Sequence, residues 1–318
     1  MEHSSSPRFT LHHLEVLVSV AETGTISAAA ERLHMSASAV SSAVTELESR
    51  LGAALTVRRR AKGVRLTATG AVALAQARVI LHHASELQLG TAGGGSVVGP
   101  LRLGCYPSLA PTVLPSLVTR FADANPGVSI DFREGDQRAL HRRLAEGDLD
   151  LAIAYDLEIP AEWQVTRLGS RTQQVVLPAS HRLARTRRPV DLAELADEPM
   201  VLLDSPPSVH GILEVCARAG FTPRIAYRTP SYETARSLVG RGVGWTLLLQ
   251  RPPADVTYEG FRLAVKTIGA PVPDPVDVVI VHLEESPLGR VASAFVEHAV
   301  ESAVAAPWNC DPVEDKAR

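Results

Sequence analysis

Cysteine and aromatic side chains are scarce in this sequence: three cysteines and 4% Phe, Trp and Tyr in 318 residues. Cys105, Cys216 and Cys310 lie far apart with no Cys-x-x-Cys pair. That spacing excludes a disulfide framework and a cysteine-rich zinc site, and it fits free thiols in a reducing compartment. No stretch reaches the ~18 consecutive apolar residues of a membrane helix. The segment Met1 to Pro7 lacks the apolar core of a secretion signal, so a cytoplasmic location and no membrane partner are expected. Catalytic signatures are missing too: there is no Gly-x-Ser-x-Gly, no phosphate-binding Gly-x-x-x-x-Gly-Lys and no His-Glu-x-x-His. Gly240, Gly242 and Gly244 are suitably spaced for a nucleotide, but they follow a helix and precede a strand, the reverse of a dinucleotide fingerprint. No enzyme activity, metal or cofactor is expected.

What remains is a globular composition, 45% hydrophobic and 21% charged, at a length that suggests two domains. The net charge of −3 conceals an asymmetry. Residues 1–92 carry nine Lys/Arg against seven Asp/Glu, and residues 93–318 carry 23 against 28. An acidic bulk excludes a chain that coats nucleic acid along its whole length, but it permits one basic docking face.

The stretch Thr25 to Leu51 reads as two short helices joined by a tight turn at His34 and Met35. In the first, from about Ser27, the small residues Ala28 and Ala29 let a neighbouring helix cross closely, with Leu33 on the same side. Ser36 is placed to cap the second. There Val40, Val44, Leu47 and Leu51 recur at four, three and four, one buried stripe. Ser38, Ser41, Ser42, Thr45 and Ser49 form the opposite, short and polar face. A helix that enters a major groove needs this division, although an ordinary helical hairpin fits the pattern alone equally well. The next segment favours the first reading. Two β-prone stretches flank Ala61-Lys62-Gly63 and carry Arg58, Arg59, Arg60, Lys62 and Arg65 within eight residues, cations suited to phosphates or a narrow minor groove.

From Leu11 to about Leu87 the sequence resembles the N-terminal domain of the LysR-type transcriptional regulators. The opening LEVLVSVAETGTISAAAERLHMS, the helix AVSSAVTELESRLG and the wing VRRRAKGVRLTATG carry the likeness. The family's helix commonly starts Ser-Gln-Pro-Ala, with an Arg further on; here Ala37, Ser38 and Ser42 hold those places, and Thr56 replaces the wing's usual Phe. Bidentate base contacts are therefore not expected at Ala37 or Ser42. The resemblance implies DNA contacts from Thr25, Ser27, Ser36, Ala37, Ser38, Ser41, Ser42 and Thr45, with the wing residues Arg58, Arg59, Arg60, Lys62 and Arg65.

Residues 1–9 are expected to be a flexible tail, 10–67 a winged helix-turn-helix, 68–92 a linker helix and 93–99 a hinge. In the linker Ala73, Ala77, Ile80, Ala84 and Leu87 recur at four, three, four and three. This heptad seam pairs two copies or packs on its own domain, and the resemblance favours pairing. His82 and His83 beside it read as surface residues.

Beyond Gly99-Pro100 strands and helices alternate, which predicts a mainly parallel sheet with right-handed crossovers. Expected elements include a helix from Ser108 to Ala122, strands at 128–134 and 173–179, and a capping box of Asp191 with Glu194. A second α/β series follows, and the chain returns to the first at its end. The fold class expected is thus α/β: a winged helix-turn-helix, a linker helix and a two-subdomain effector domain similar to the periplasmic binding proteins. Its subdomains span about 100–172 with 270–304, and about 173–269, before a disordered tail at 305–318.

In such sheets ligands sit beyond the carboxyl ends of strands, near helix N-termini. This rule nominates Ser108, Tyr155 and Asp156 in one half and Asp204, Ser208, His210, Tyr232 and Trp245 in the other. Helix capping explains the serines, and core packing Trp245, at least as well. Helix N-termini favour a small organic carboxylate; the two aspartates would suit an amine or amide. The resemblance implies double-stranded promoter or operator DNA, a small-molecule effector, further copies of the chain as dimer or tetramer, and RNA polymerase as partners. A solute-binding or transport-linked protein without regulatory DNA binding is the alternative.

Overall fold

The computed structural model of the chain describes residues 8–59, 63–92, 96–161, 163–252, 254–284 and 288–304. Its N-terminal part is three helices, a hairpin and a long helix: α1 (Leu11–Thr23), α2 (Ile26–Leu33), α3 (Ala37–Leu51), β1 (Thr56–Arg59), β2 (Gly63–Leu66) and α4 (Ala68–Ala92). Side-chain oxygens of Thr10, Thr25 and Ser36 cap α1, α2 and α3, accepting the orphan N–H groups of His13, Ala28 and Ala39. Left-handed Gly24, His34 and Gly52 end the same helices. Val16, Val20, Ala29, Ala30, Val40, Ala43 and Val44 bury one face of each helix against the others. Leu47 joins Leu14, Leu17 and Leu55 in an adjoining cluster, whereas Leu51, expected on the buried stripe, is 41% exposed at the last turn of α3. Phe9, expected in a flexible tail, packs on that second cluster.

Helix α4 runs for 25 residues, about 37 Å at 1.5 Å per residue. The expected seam divides along its length. Ala77 is 1% exposed and, with Ala73, packs on the helix-turn-helix core. Ile80 and Leu87 stand exposed, at 40% and 71%, and Val72 lies open as well. The first half of the seam is thus occupied within the chain, and the apolar surface left over runs through Val72, Ile80 and Leu87. His82 is a correction: its ring is buried against the second part of the molecule, not on the surface.

That second part follows β3 (Gly99–Cys105), α5 (Leu114–Ala124), β4 (Val128–Glu134), α6 (Gln137–Ala145), β5 (Leu151–Tyr155) and β6 (Trp163–Arg171). It continues through β7 (Gln174–Pro178), β8 (Val190–Asp191), β9 (Pro199–Leu203), α7 (Ser208–Arg218), β10 (Arg224–Thr229), α8 (Tyr232–Gly240), β11 (Thr246–Leu248), β12 (Leu263–Ala270), β13 (Val276–Leu283) and α9 (Arg290–Val304). One lobe holds a five-stranded sheet, β4-β3-β5-β13-β6. The other holds the sheet β11-β7-β12-β8 and the pair β10-β9. Each lobe has its own hydrophobic core.

Both lobes are mixed, not mainly parallel. In the first, β3 pairs in parallel with β4 and β5, but the returning β13 runs antiparallel to β5 and β6. In the second, β7 pairs antiparallel with both β11 and β12. Residues 107–113 form turns, and α5 begins only at Leu114 with Pro115 in its first turn, so no helix starts at Ser108. Asp191 caps a short 3₁₀ turn through the N–H of Ala193, while Glu194 turns to Arg188 instead of completing a capping box. Among the described residues no helix is long and apolar enough to cross a membrane.

Candidate functional site

The buried stripe of α3 fixes which face it presents. Ala37, Ser38, Ser42, Thr45 and Ser49 are exposed on the opposite side, with Ser41 half-buried. Some of these hydroxyls already have work to do. The Oγ of Ser36 accepts from the Ala39 N–H (3.1 Å) and lies 3.0 Å from Ser38 Oγ. Thr25 Oγ1 accepts from the Ala28 N–H, and Thr45 Oγ1 donates to the Ser41 carbonyl. Ser27 is exposed at the start of α2.

The wing is held beside this face by one carboxylate. Glu48, near the end of α3, accepts from the Leu55 N–H, the Thr56 N–H and Thr56 Oγ1 at 2.8, 2.8 and 3.0 Å. Thr56 thereby anchors β1 through a hydroxyl. On the other strand the Val64 N–H donates to the Gly24 carbonyl at 2.8 Å. Gly63 has φ +78°, and a Cβ there would lie 2.3 Å from that carbonyl, so only glycine fits. Arg58 and Arg59 lie on β1 opposite Val64 and Gly63, and Arg65 is exposed on β2. Arg60 and Lys62 lie outside the described residues. Glu46 is drawn by Arg50, and then by His13, below the usual carboxylate range.

The second site is a cleft of about 750 Å³ between the two lobes. Tyr106, at the end of β3, spans it: its hydroxyl lies 2.7 Å from Ser205 Oγ and 3.4 Å from Ser208 Oγ of the opposite lobe. Behind it Ser108 Oγ lies 3.0 Å from Tyr155 Oη, which also accepts from Gln250 Nε2 at 2.9 Å. Gln250 is held twice more: Thr112 Oγ1 donates to its Oε1 (3.0 Å) and Tyr232 Oη to its carbonyl (2.6 Å). Burial raises the Tyr155 hydroxyl to about 12, offset in part by the bonds from Ser108 and Gln250. Tyr232 is pushed up by burial as well. Both phenols therefore stay protonated and serve as donors and apolar walls.

Of the residues nominated from sequence, this arrangement brings together Ser108, Tyr155, Ser208 and Tyr232, which line the cleft or the small enclosed cavity behind it. It leaves out four. Asp156 follows β5 without lining either space. Asp204 faces Arg228, and His210 pairs with Glu158 at 3.0 Å, both at exposed positions. Trp245 is wholly buried in the core of the second lobe and donates to the Glu198 carbonyl. Thr112, Ser205, Glu233, Arg236 and Gln250 escaped the sequence reading, because no local pattern marks residues that converge from distant segments. Among the described residues no His, Cys, Asp and Glu group is arranged to hold a metal ion.

A winged helix-turn-helix followed by two α/β lobes around a ligand-sized cleft defines a DNA-binding transcriptional regulator. Residues 11–71 match the model of the bacterial regulatory helix-turn-helix proteins of the lysR family, and residues 94–304 match the LysR substrate binding domain. The chain belongs to the LysR family of DNA-binding transcriptional regulators, with an effector-binding domain behind the DNA-binding one. It is similar to a probable hydrogen peroxide-inducible genes activator of Mycobacterium avium, 34% identical over 83% of this chain and 85% of that protein. Residues of the two lobes are similar to the solved C-terminal domain of a probable LysR family regulator from Rhodococcus sp. RHA1 (52% identity, 64% of this chain, 99% of that one, TM-score 0.63). A full-length OxyR variant of Pseudomonas aeruginosa aligns over 92% of this chain and 98% of its own, at 26% identity and TM-score 0.73.

Proposed function

We propose that two or more copies of this chain grip duplex DNA through α3 and the β1–β2 wing, and that a small molecule in the cleft around Tyr106, Ser108 and Tyr232 changes that grip. The supporting observation is the division of α3: one face is buried from Val40 to Leu47, and the other is short, polar and open beside the wing. Pairing of the α4 helices would use the exposed Val72, Ile80 and Leu87. Linkage supplies the mechanism. An effector that favours one lobe closure or one assembly must alter the spacing of the paired DNA-binding heads, to which half-sites about one helical turn apart are sensitive. The cytoplasm is the expected location.

The two cysteines among the described residues do not support peroxide sensing through a thiol, the property that the Mycobacterium relative's name carries. Such a sensor needs an accessible thiolate. Cys105 and Cys216 are buried in the two lobe cores, and burial raises both thiols, Cys216 to about 11.

The test is binding to the upstream region of the chain's own gene, followed by fluorescence anisotropy across a salt series. Ser42→Glu places a carboxylate against the phosphates and is expected to weaken binding at least tenfold with an unchanged melting temperature. Neutralising Arg58, Arg60 and Arg65 together should weaken binding on all sequences and flatten the salt dependence by about one slope unit for each phosphate left unneutralised. Full affinity in both variants would overturn the assignment of this face.

A further inference from the structure

The charges around the cleft do not balance. Two arginines line it, and both are already spent. Arg236, 4% exposed, gives one Nη to Glu233 (2.9 Å) and the other to the carbonyls of Ala254 (3.2 Å) and Val256 (3.0 Å). Arg251 is paired with Asp255, at 2.8 and 3.3 Å. Glu233 also accepts from the Tyr258 N–H on its other oxygen. The remaining charge is the exposed Glu134, at the end of β4 opposite Cys105, which lines the mouth of the cleft with Tyr106. Among the described residues no cation pairs with it. At the inner end, behind Ser108 and Tyr232, the buried Gln173 Oε1 also has no donor among the described residues. The unmatched groups are thus acceptors at both ends. Most of the wall between them is apolar: Tyr106, Pro107, Pro111, Leu203, Pro230 and Tyr258.

We propose that the effector of this cleft is an organic cation: an amine whose ammonium sits against Glu134 and whose apolar, ring-sized body lies among the tyrosines and prolines. This deepens the reading of the cleft as the effector site and rests on it. Glu134 is exposed, so the ammonium keeps part of its water while it pairs there, and tyrosine faces add attraction for a cation. A carboxylate would meet Glu134 as a like charge and find both guanidinium groups neutralised. The helix N-terminus that favoured an anion at Ser108 is not there, since α5 starts six residues later, at Leu114; the helix start that does line the cleft, that of α8, already carries its Ser231 cap and the carboxylate of Glu233 in its first turn. The volume of the cleft accommodates a molecule of about drug size.

Calorimetry on the full-length protein with three matched probes tests this: 4-phenylbutylamine, 4-phenylbutan-1-ol and 4-phenylbutyrate. The amine is expected to bind roughly three- to tenfold more tightly than the alcohol, the span of a screened ion pair, and the carboxylate more weakly than either. Glu134→Gln should bring the amine to within about twofold of the alcohol. In the unmutated protein, raising the salt should narrow the same gap without moving the alcohol. Equal or tighter binding of the carboxylate, or an amine advantage indifferent to Glu134→Gln and to salt, overturns the cationic class. The exposed Pro111, changed to Trp, fills the cleft and separates the location of the site from the class of its ligand. Probes displaced by Pro111→Trp keep the cleft as the effector site whichever class wins. Probes that bind the variant unchanged, or fail to bind the parent at millimolar concentration, overturn the cleft reading and the cationic proposal together.

Discussion

Arg78 Nη1 lies 2.6 Å from Asp148 Oδ1, so a side chain of the linker helix is bolted to the first effector lobe. The same guanidinium donates to the Glu146 carbonyl at 3.0 Å and lies 3.5 Å from Glu22 of α1. One buried cation therefore joins the DNA-binding helices, the linker and the sensor. Its loss would leave three acceptors short of a donor. Arg78→Met is expected to cost about 1–3 kcal/mol, the range for hydrogen bonds to a charged group. Denaturant unfolding of the full chain measures it, and Arg78→Lys should recover part of the loss. Unchanged midpoints in both variants would show that the bolt carries no energy.

Glu48 is the second such anchor. Three donors of the wing converge on its Oε1. Glu48→Ala should loosen the wing, cost about 2–3 kcal/mol by the same rule, and weaken DNA binding without touching the exposed face of α3. Glu48→Gln keeps an acceptor oxygen and should lose clearly less. Equal loss in Ala and Gln variants would mean that charge, not hydrogen bonding, holds the strand.

A pH effect follows from His82. Burial, ahead of the neighbouring charges, lowers this ring below the ordinary histidine value. The groups facing it are Asp150 and Glu86, which favour its proton, and Arg102 and His83, which oppose it; His282 lines the same small space. The unfolded chain then binds more protons than the folded one, so stability is kept above about pH 6.5 and lost as pH falls below it. His141 and His298, also lowered by burial, add in the same direction. Melting curves at pH 7.5 and 5.5 should show a smaller drop for His82→Gln than for the parent. Superimposable pH profiles would mean that the His82 ring contributes nothing to acid sensitivity.

The thiols should be silent. In a Cys310→Ser background the folded protein is expected to react with a disulfide reagent at pH 8 only on the timescale of unfolding, because the raised Cys105 and Cys216 thiols form little thiolate. Denaturant should release both at once. A fast reaction of either in the native state would contradict their burial.

Much of this was legible in the residues. The four-three spacing of Val40, Val44 and Leu47 gives α3 its faces, and the Ser36 cap sets its start. Strand β4 falls on the residues expected, because Val128, Ile130 and Phe132 alternate with polar residues along it. The helix expected at Ser108 failed: Leu109, Ala110 and Val113 are buried, but in consecutive turns. Pro115, in the first turn of α5, was the marker of the true start. Strand β6 was missed since its first half, from Gln164 to Arg167, is polar and largely exposed at the edge of the sheet. His82 looked like a surface residue because nothing near it in sequence announces Asp150 or Arg102. The cleft was half-visible: strand ends nominated Ser108 and Tyr155, while Gln250 and Thr112 meet them only through the tertiary fold.

Gln250 occupies a position from which both halves of the sensor can be felt. Its amide reaches into the first lobe at Thr112 and Tyr155, and its main chain is tied to Tyr232 of the second. Parting the two lobes along this line would therefore break the bonds to Thr112 and Tyr155 while leaving the one to Tyr232 in place.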